Sequence, residues 1–309
     1  MLSRIAESLF WFGRYVERAE DTARILDVHY YLLLEDPGVD EEAACRALLE
    51  VMGQGDRPGP TLDAQFVTDV LAYDVDSPCS IVGALTAAWE NGRGARETLS
   101  AETWRCLNAT FQALPRSVAH ADRQSPHDFF DWVKERAAIL AGLADSTMSR
   151  EDGWRFLVLG RNLERADMTA RLLSARYTDA WGHAGWVTTL RCCSAHEAYL
   201  RTYQRAVDAS LAAEFLLLDR LFPRSLFHAL STAERCLAEL DPRSGRTGLD
   251  DEARRLLGQA RTGLEFTQTG ELLAHLPERL IEVQALCAQA ASAVAWRYFP
   301  QTSSIAWTA

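Results

Sequence analysis

Apolar residues recur at the three-and-four spacing of a helix along almost the whole chain, and no segment alternates with period two for long enough to predict a strand. Ile5, Leu9, Phe12, Val16, Ala19, Ala23 and Leu26 trace one face of a first long helix, which runs until Asp36-Pro37-Gly38 stops it. Phe10, Trp11 and Ile25 cover other sides, so this helix is apolar nearly all round, as a central helix must be. A second helix is predicted over Glu41 to Met52, and the breaker cluster Gly53 to Pro60 reads as a surface loop. Ser77-Pro78 and Ser125-Pro126 mark later helix starts, with serine as cap and proline in the first turn. A further loop is expected from Asp241 to Gly248, then closing helices from about Leu249 to Thr269 and Glu271 to Tyr298, and a frayed polar tail at 299–309. The pattern predicts an all-α chain, a multi-helix bundle of about ten to twelve helices, in one domain spanning 1–309.

Superposed on this periodicity is an internal repeat. The segment Gly13-Arg14-x-x-Glu17-Arg18-Ala19-Glu20-x-Thr22-Ala23-Arg24-x-Leu26 recurs as Gly160-Arg161-x-x-Glu164-Arg165-Ala166-Asp167-x-Thr169-Ala170-Arg171-x-Leu173, every pair offset by 147. Nine identities and one acidic exchange in fourteen positions exceed what helix composition produces by chance, and predict pseudo-repeat halves at about 1–147 and 148–298.

The charges in this motif sit beside the apolar face, so they must be compensated, because a buried unpaired charge costs several kcal/mol. Glu20 can meet Arg24 one turn later, and Arg14 can meet Glu17 or the partner that Arg18 finds on another helix. If the two motif helices pack together, Glu17 pairs with Arg165 and Glu164 with Arg18. Two readings follow from the same residues. In one, interlocking ion pairs fix the register of two central helices. In the other, the arginines and carboxylates line a polar cleft that holds a charged ligand or a peptide end.

Composition narrows the field. The 309 residues are 48% hydrophobic and 24% charged, enough for a large core, and 32 basic against 43 acidic residues give a net charge of −11. That field repels phosphate backbones and anionic lipid, so neither nucleic acid nor membrane is an expected partner. No uncharged apolar run reaches a spanning length, and Arg4, Glu7 and Arg14 spoil a signal peptide, so a cytoplasmic location is expected. Seven cysteines without a Cys-x-x-Cys motif read as reduced, mostly buried thiols. All basic side chains but Lys134 are arginine, so lysine chemistry would have to use that one residue. No Glu has a His three residues later and no second His follows His196-Glu197 at helical spacing, so no metal and no cofactor are expected. Phosphate-binding and dinucleotide-binding loops are absent from the sequence. His29 reads as a core histidine before a general base.

The repeated Gly-Arg-x-x-Glu-Arg-Ala-acid motif resembles the signature of the alpha-E domain, an all-helical family named for its Glu-Arg motif. Two further stretches are similar to segments of that family: Asn91-x-Arg93-x-x-Arg96-Glu97-x-x-Ser100-x-Glu102-x-Trp104-x-x-Leu107-Asn108, and Glu214 to Ser225 with Asp219, Arg220 and Arg224. The resemblance spans essentially the whole chain and departs from it at Asp167, where the family has Glu. It implies association with circularly permuted ATP-grasp ligases and transglutaminase-like peptidases in systems that make or attach small peptides. On this basis the chain is expected to be an accessory, substrate- or partner-binding component, with a peptide or amino acid as ligand. The candidate ligand-binding residues are Arg14, Glu17, Arg18, Glu20, Arg24, Arg93, Arg96, Glu97, Arg161, Glu164, Arg165, Asp167, Arg171, Asp219, Arg220 and Arg224. The alternative reading is an acyl or aminoacyl transferase using Glu17 or Glu164 as base and the clustered arginines for an anionic intermediate. A third is a wholly structural ion network, with function at an outer surface.

Overall fold

The structure is a computed structural model and describes residues 1–55, 61–121, 125–176, 185–242 and 247–299. Among these the chain forms fourteen α-helices, one π-helical turn and no strand. The helices are α1 Ser3–Glu35, α2 Glu41–Val51, α3 Ala64–Thr68, α4 Ile81–Gly94, α5 Ala101–Ala121, α6 Pro126–Thr147 and α7 Asp152–Arg176. They continue with α8 Gly185–Cys192, α9 His196–Tyr203, α10 Ala209–Leu218, α11 Leu226–Leu240, α12 Glu252–Glu265, α13 Thr269–Ala274 and α14 Leu276–Tyr298. The π-helical turn, Asp69–Tyr73, directly continues α3.

The all-α class stands, but the count exceeds the ten to twelve expected. The excess comes from short helices such as α3 and α13, five and six residues long, which hold too few turns to display an apolar period. The helix start expected at Ser77-Pro78 is also corrected. Ser77 and Pro78 lie in a turn closed by the Ser80 amide on the Ser77 carbonyl at 3.0 Å, and the capping serine of α4 is Ser80, whose Oγ accepts from the Gly83 amide at 2.9 Å. Ser125 caps α6 as expected, with Pro126 in its first turn. The expected loops at 53–60 and 241–248 lie partly outside the described residues, as does the tail beyond 299.

The 33-residue helix α1 and the 25-residue helix α7 lie against each other at the centre. Around α1 pack α4 and α6, with α5 closing the ring against both; around α7 pack α11 and α14, with α12 closing the ring against both. Helices at matching positions of the two stretches thus have matching neighbours. At the crossing of α1 and α7 a Cβ on Gly13 would collide with the carbonyl oxygen of Leu157, and one on Gly160 with the carbonyl oxygen of Phe10. Both contacts obey the 147 offset, so glycine is required because the two backbones touch.

Two loops also correspond. In one, Ser80 Oγ donates to the Asp74 carbonyl and caps α4; in the other, Ser225 Oγ donates to the Asp219 carbonyl and caps α11 by accepting from the His228 amide at 3.1 Å. Each serine amide returns to the carbonyl three residues back, Ser77 or Phe222, and each loop has proline two residues before the serine, Pro78 or Pro223. Cys79 and Arg224 therefore occupy equivalent positions.

Candidate functional site

Close approach of α1 and α7 brings the repeated charges into one network across the crossing. Glu164 accepts from Arg18 Nε at 2.6 Å and Nη2 at 3.1 Å and from Arg14 Nε at 2.7 Å. Reciprocally, Glu17 accepts from Arg165 Nε at 2.6 Å. The crosswise pairing expected from the repeat is therefore the arrangement found, including Arg14 on the partner of Arg18. Within each helix the one-turn pairs form as well, Arg24 to Glu20 at 2.6 Å and Arg171 to Asp167 at 2.8 Å.

The two halves of the network differ in how they complete the charge balance. Arg224, far from either motif copy in sequence yet buried here, places Nη1 on Glu17 at 2.8 Å and on Asp21, and Nη2 on Glu20 at 2.8 Å. On the other side Arg14 supplies the second guanidinium to Glu164, while its counterpart Arg161 turns away to Asp145 at 3.4 Å. Asp21 was not among the residues singled out in the sequence; its counterpart 147 positions on is Met168, so the repeat itself hid it.

Both central glutamates are buried, Glu17 at 2% and Glu164 at 3% exposure. Burial acts to raise the pKa of Glu17, but the charges of Arg165 and Arg224 override it and hold the group at about 2. Glu164 is likewise lowered, with burial opposed by Arg14 and Arg18. Asp21 goes the other way, to about 7, because burial and the carboxylates Glu17 and Glu20 together outweigh Arg224. Its Oδ2 is buried without a hydrogen-bond partner among the described residues.

Other expected site residues lie elsewhere. Arg93 and Arg96 are exposed at the end of α4 and just beyond it, over the Trp89 and Trp104 rings at 5.0 and 5.4 Å. Glu97 borders an open cleft of about 740 Å³ near Leu2, Ile5, Ser100 and Trp154, away from the paired motif. Arg220 is exposed and bonds Glu265 at 2.8 Å; Asp219 Oδ1 accepts from the Leu221 and Phe222 amides and shapes the loop. Of the Glu214–Ser225 stretch, then, Arg224 alone among these three joins the Glu-Arg network.

Lys134 is held by Asp27 and Asp131, both at 2.7 Å, and His127 bridges the same two carboxylates at 2.6 and 3.2 Å. Both oxygens of Asp27 are thereby occupied, so the Asp27–His127–Asp131 grouping, whose spacing would suit a metal ion, is an ion network complete in itself. Burial acts to lower the pKa of Lys134, but its bonds to Asp131 and Asp27 raise it. His29 is buried, pushed down to about 4 by burial, with Cys45 Sγ at 3.7 Å. All seven cysteines are free, five of them buried. No helix among the described residues is long and apolar enough to cross a membrane.

Beside Glu164 the network opens. A cavity of about 220 Å³ is bounded by Arg18, Met52, Cys79, Asp167, Met168 and Arg171. Arg18 and Arg171 side chains are 17% and 37% exposed here, so charged groups of the motif reach solvent at this edge.

A family model described as Alpha-E, "a predicted alpha-helical domain with a conserved ER motif", matches residues 1–299. The uncharacterized protein Mb2597 of Mycobacterium bovis is 28% identical over 308 residues, and the uncharacterized protein Rv2567 of Mycobacterium tuberculosis H37Rv 27% identical over the same length. Each alignment covers 91% of this chain but 33% of the relative, so the chain spans about a third of the length of these curated relatives. No solved structure matches the chain.

Proposed function

Because the chain belongs to the Alpha-E family of helical domains with a conserved ER motif, we propose that it is a binding component working beside an amide-forming ligase of the circularly permuted ATP-grasp type, not a catalyst on its own. In this reading α1 and α7 form a rigid scaffold, and the charged opening beside Glu164 presents a small ligand, an amino acid or peptide end, to the partner. A transglutaminase-like peptidase is a second partner of the same system.

The observation that carries this reading is the state of the two central glutamates. A general base works best with a pKa near the operating pH and a lone pair open to substrate. Glu17 and Glu164 are almost wholly buried, held by two guanidiniums each, and shifted to lower pKa. This weighs against the transferase alternative and favours a scaffold role for the innermost charges. Two further facts support an accessory role: the sequence has no nucleotide-binding loop, and the mycobacterial relatives carry the matching region within chains about three times as long.

Co-expression with a circularly permuted ATP-grasp ligase from the same genome, followed by copurification and assay of each protein alone and together, tests the proposal. The expected result is a stable complex, with ATP-dependent amide formation only when the ligase is present. Unaided turnover by this chain overturns it.

A further inference from the structure

The two serine-capped loops differ at a position that faces the Glu-Arg helices, and the difference is coordinated. On one side Arg224 lies on Glu17, Glu20 and Asp21. On the other, the equivalent residue is Cys79, and the equivalent of Asp21 is Met168. A guanidinium and its third carboxylate have been replaced together by a thiol and a thioether. Where the arginine side chain would lie is the cavity of about 220 Å³ bounded by Arg18, Met52, Cys79, Asp167, Met168 and Arg171.

The chemistry of its edge selects an occupant. Among the described residues, the bonds of Arg18 to Glu164 and the Pro78 carbonyl use three of its five N–H groups, and those of Arg171 to Asp167 and the Val51 carbonyl use two. Each guanidinium therefore keeps donors to spare at one rim. Glu164 is already engaged by Arg14 and Arg18, whereas Asp167 bonds Arg171 through Oδ2 alone. Three arginines, Arg14, Arg18 and Arg171, face two carboxylates, so a bare guanidinium guest lacks the extra carboxylate that Arg224 finds in Asp21. The remaining walls, Met52, Met168 and Cys79, are soft and apolar.

We propose that this cavity binds a free α-amino acid with an apolar side chain, its carboxylate between Arg18 and Arg171, its ammonium at Asp167, and its side chain against Met52 and Met168. The volume is below that of a drug-sized pocket and fits a metabolite of this size. Bidentate guanidinium contacts give the carboxylate end its specificity. The inference rests on the reading that the Glu-Arg helices edge a binding site; it does not depend on the ligase.

Cys79 itself reports occupancy. Cys106 is the other thiol that is not buried, so a Cys106→Ser background isolates alkylation of Cys79 by iodoacetamide, followed by mass spectrometry. With leucine or methionine at about 10 mM, ten times a Kd of about 1 mM, alkylation is expected to slow about tenfold. Leucinamide, which lacks the carboxylate, 4-methylpentanoate, which lacks the ammonium, and guanidinium chloride are expected to leave the rate unchanged. Arg171→Met, at a side chain already partly in solvent, is expected to remove the protection by leucine. No slowing by leucine or methionine overturns the proposal, and so does equal protection by any of the three control compounds. As a second test, Cys79→Arg with Met168→Asp rebuilds the pair found on the other side. This variant is expected to keep its thermal midpoint and lose the leucine binding that calorimetry detects in the parent; retained binding overturns the proposal. Thiol protection is read on this chain alone and complex formation on the ligase pair, so failure of one is distinguishable from failure of the other.

Discussion

Gly13 sets its α-carbon directly against the carbonyl oxygen of Leu157, and Gly160 repeats the contact on Phe10 from the opposite helix. This crossing brings the arginines of one helix within reach of the glutamates of the other. In an isolated helix, Gly→Ala is stabilising by about 1 kcal/mol because alanine is the better helix former. At these two positions the sign is expected to invert, because the added methyl has no space and the helices must part. Gly13→Ala and Gly160→Ala should each lose about 3 kcal/mol, the upper range for overpacking, as urea denaturation will measure. Gain of stability at either site would show that the backbones are not in contact.

Removing Glu164 leaves Arg14 and Arg18, both largely buried, without the carboxylate they share. Glu164→Ala is expected to cost about 3–5 kcal/mol, the usual range for a broken buried pair. Replacing the whole cluster with apolar residues, Arg14→Met, Arg18→Met and Glu164→Met together, should recover most of that loss, since a buried ion pair has little net advantage over apolar packing. The comparison of the single and triple variants by chemical denaturation separates a register device from an indispensable charge.

Asp21 ties stability to pH near neutrality. Its pKa rises from 3.8 to about 7 on folding, so between those values the folded chain holds a proton that the unfolded chain has released. Stability from this group is therefore present at low pH and falls as pH rises from about 4 to 7. Glu17 acts in the opposite sense: its folded pKa of about 2 adds stability above 4.5 that is lost only in strong acid. Asp21→Asn should flatten the pH dependence of the denaturation midpoint between about pH 4 and 7 without altering the acid limb. A profile unchanged by the substitution would show that Asp21 is ionised throughout.

Lys134, the one lysine of the chain, is expected to be a poor nucleophile. Only the neutral amine reacts, and the bonds to Asp27 and Asp131 hold the ammonium form. Acylation at pH 8, located by mass spectrometry, should modify Lys134 far more slowly in the folded chain than in denaturant, and Asp131→Asn should accelerate the reaction in the folded chain.

Much of the central design was legible in the sequence because it was written twice. The 147 offset exposed Glu17, Arg18, Glu164 and Arg165, and charge compensation predicted that they cross-pair if the two motif helices pack together. What stayed hidden is what the repeat does not share. Asp21 matches Met168 and Arg224 matches Cys79, so a search for identity passes over the positions where the halves differ, and those positions shape the cavity. Arg93 and Arg96 had the residue types of a ligand site, but their partners are the indole faces of Trp89 and Trp104, a contact that charge pattern does not reveal. The short helices α3 and α13 escaped for want of length, and the Ser80 cap because Ser77-Pro78 carries the same helix-start chemistry three residues earlier.

The carboxylates of α1 impose an order on assembly. As the chain is synthesised, Glu17, Glu20 and Asp21 emerge long before Arg165 and longer still before Arg224, whose contacts with α1 span more than 200 residues. Until then the partners that these acids have in the folded chain are limited to Arg24, for Glu20 and, more distantly, Asp21, and an acid without a partner favours water. The charge balance of Glu17 is therefore completed only by residues of the second half of the chain. Arg224, from the loop before α11, is the last of these partners to be made, and it reaches three acids of the first helix at once.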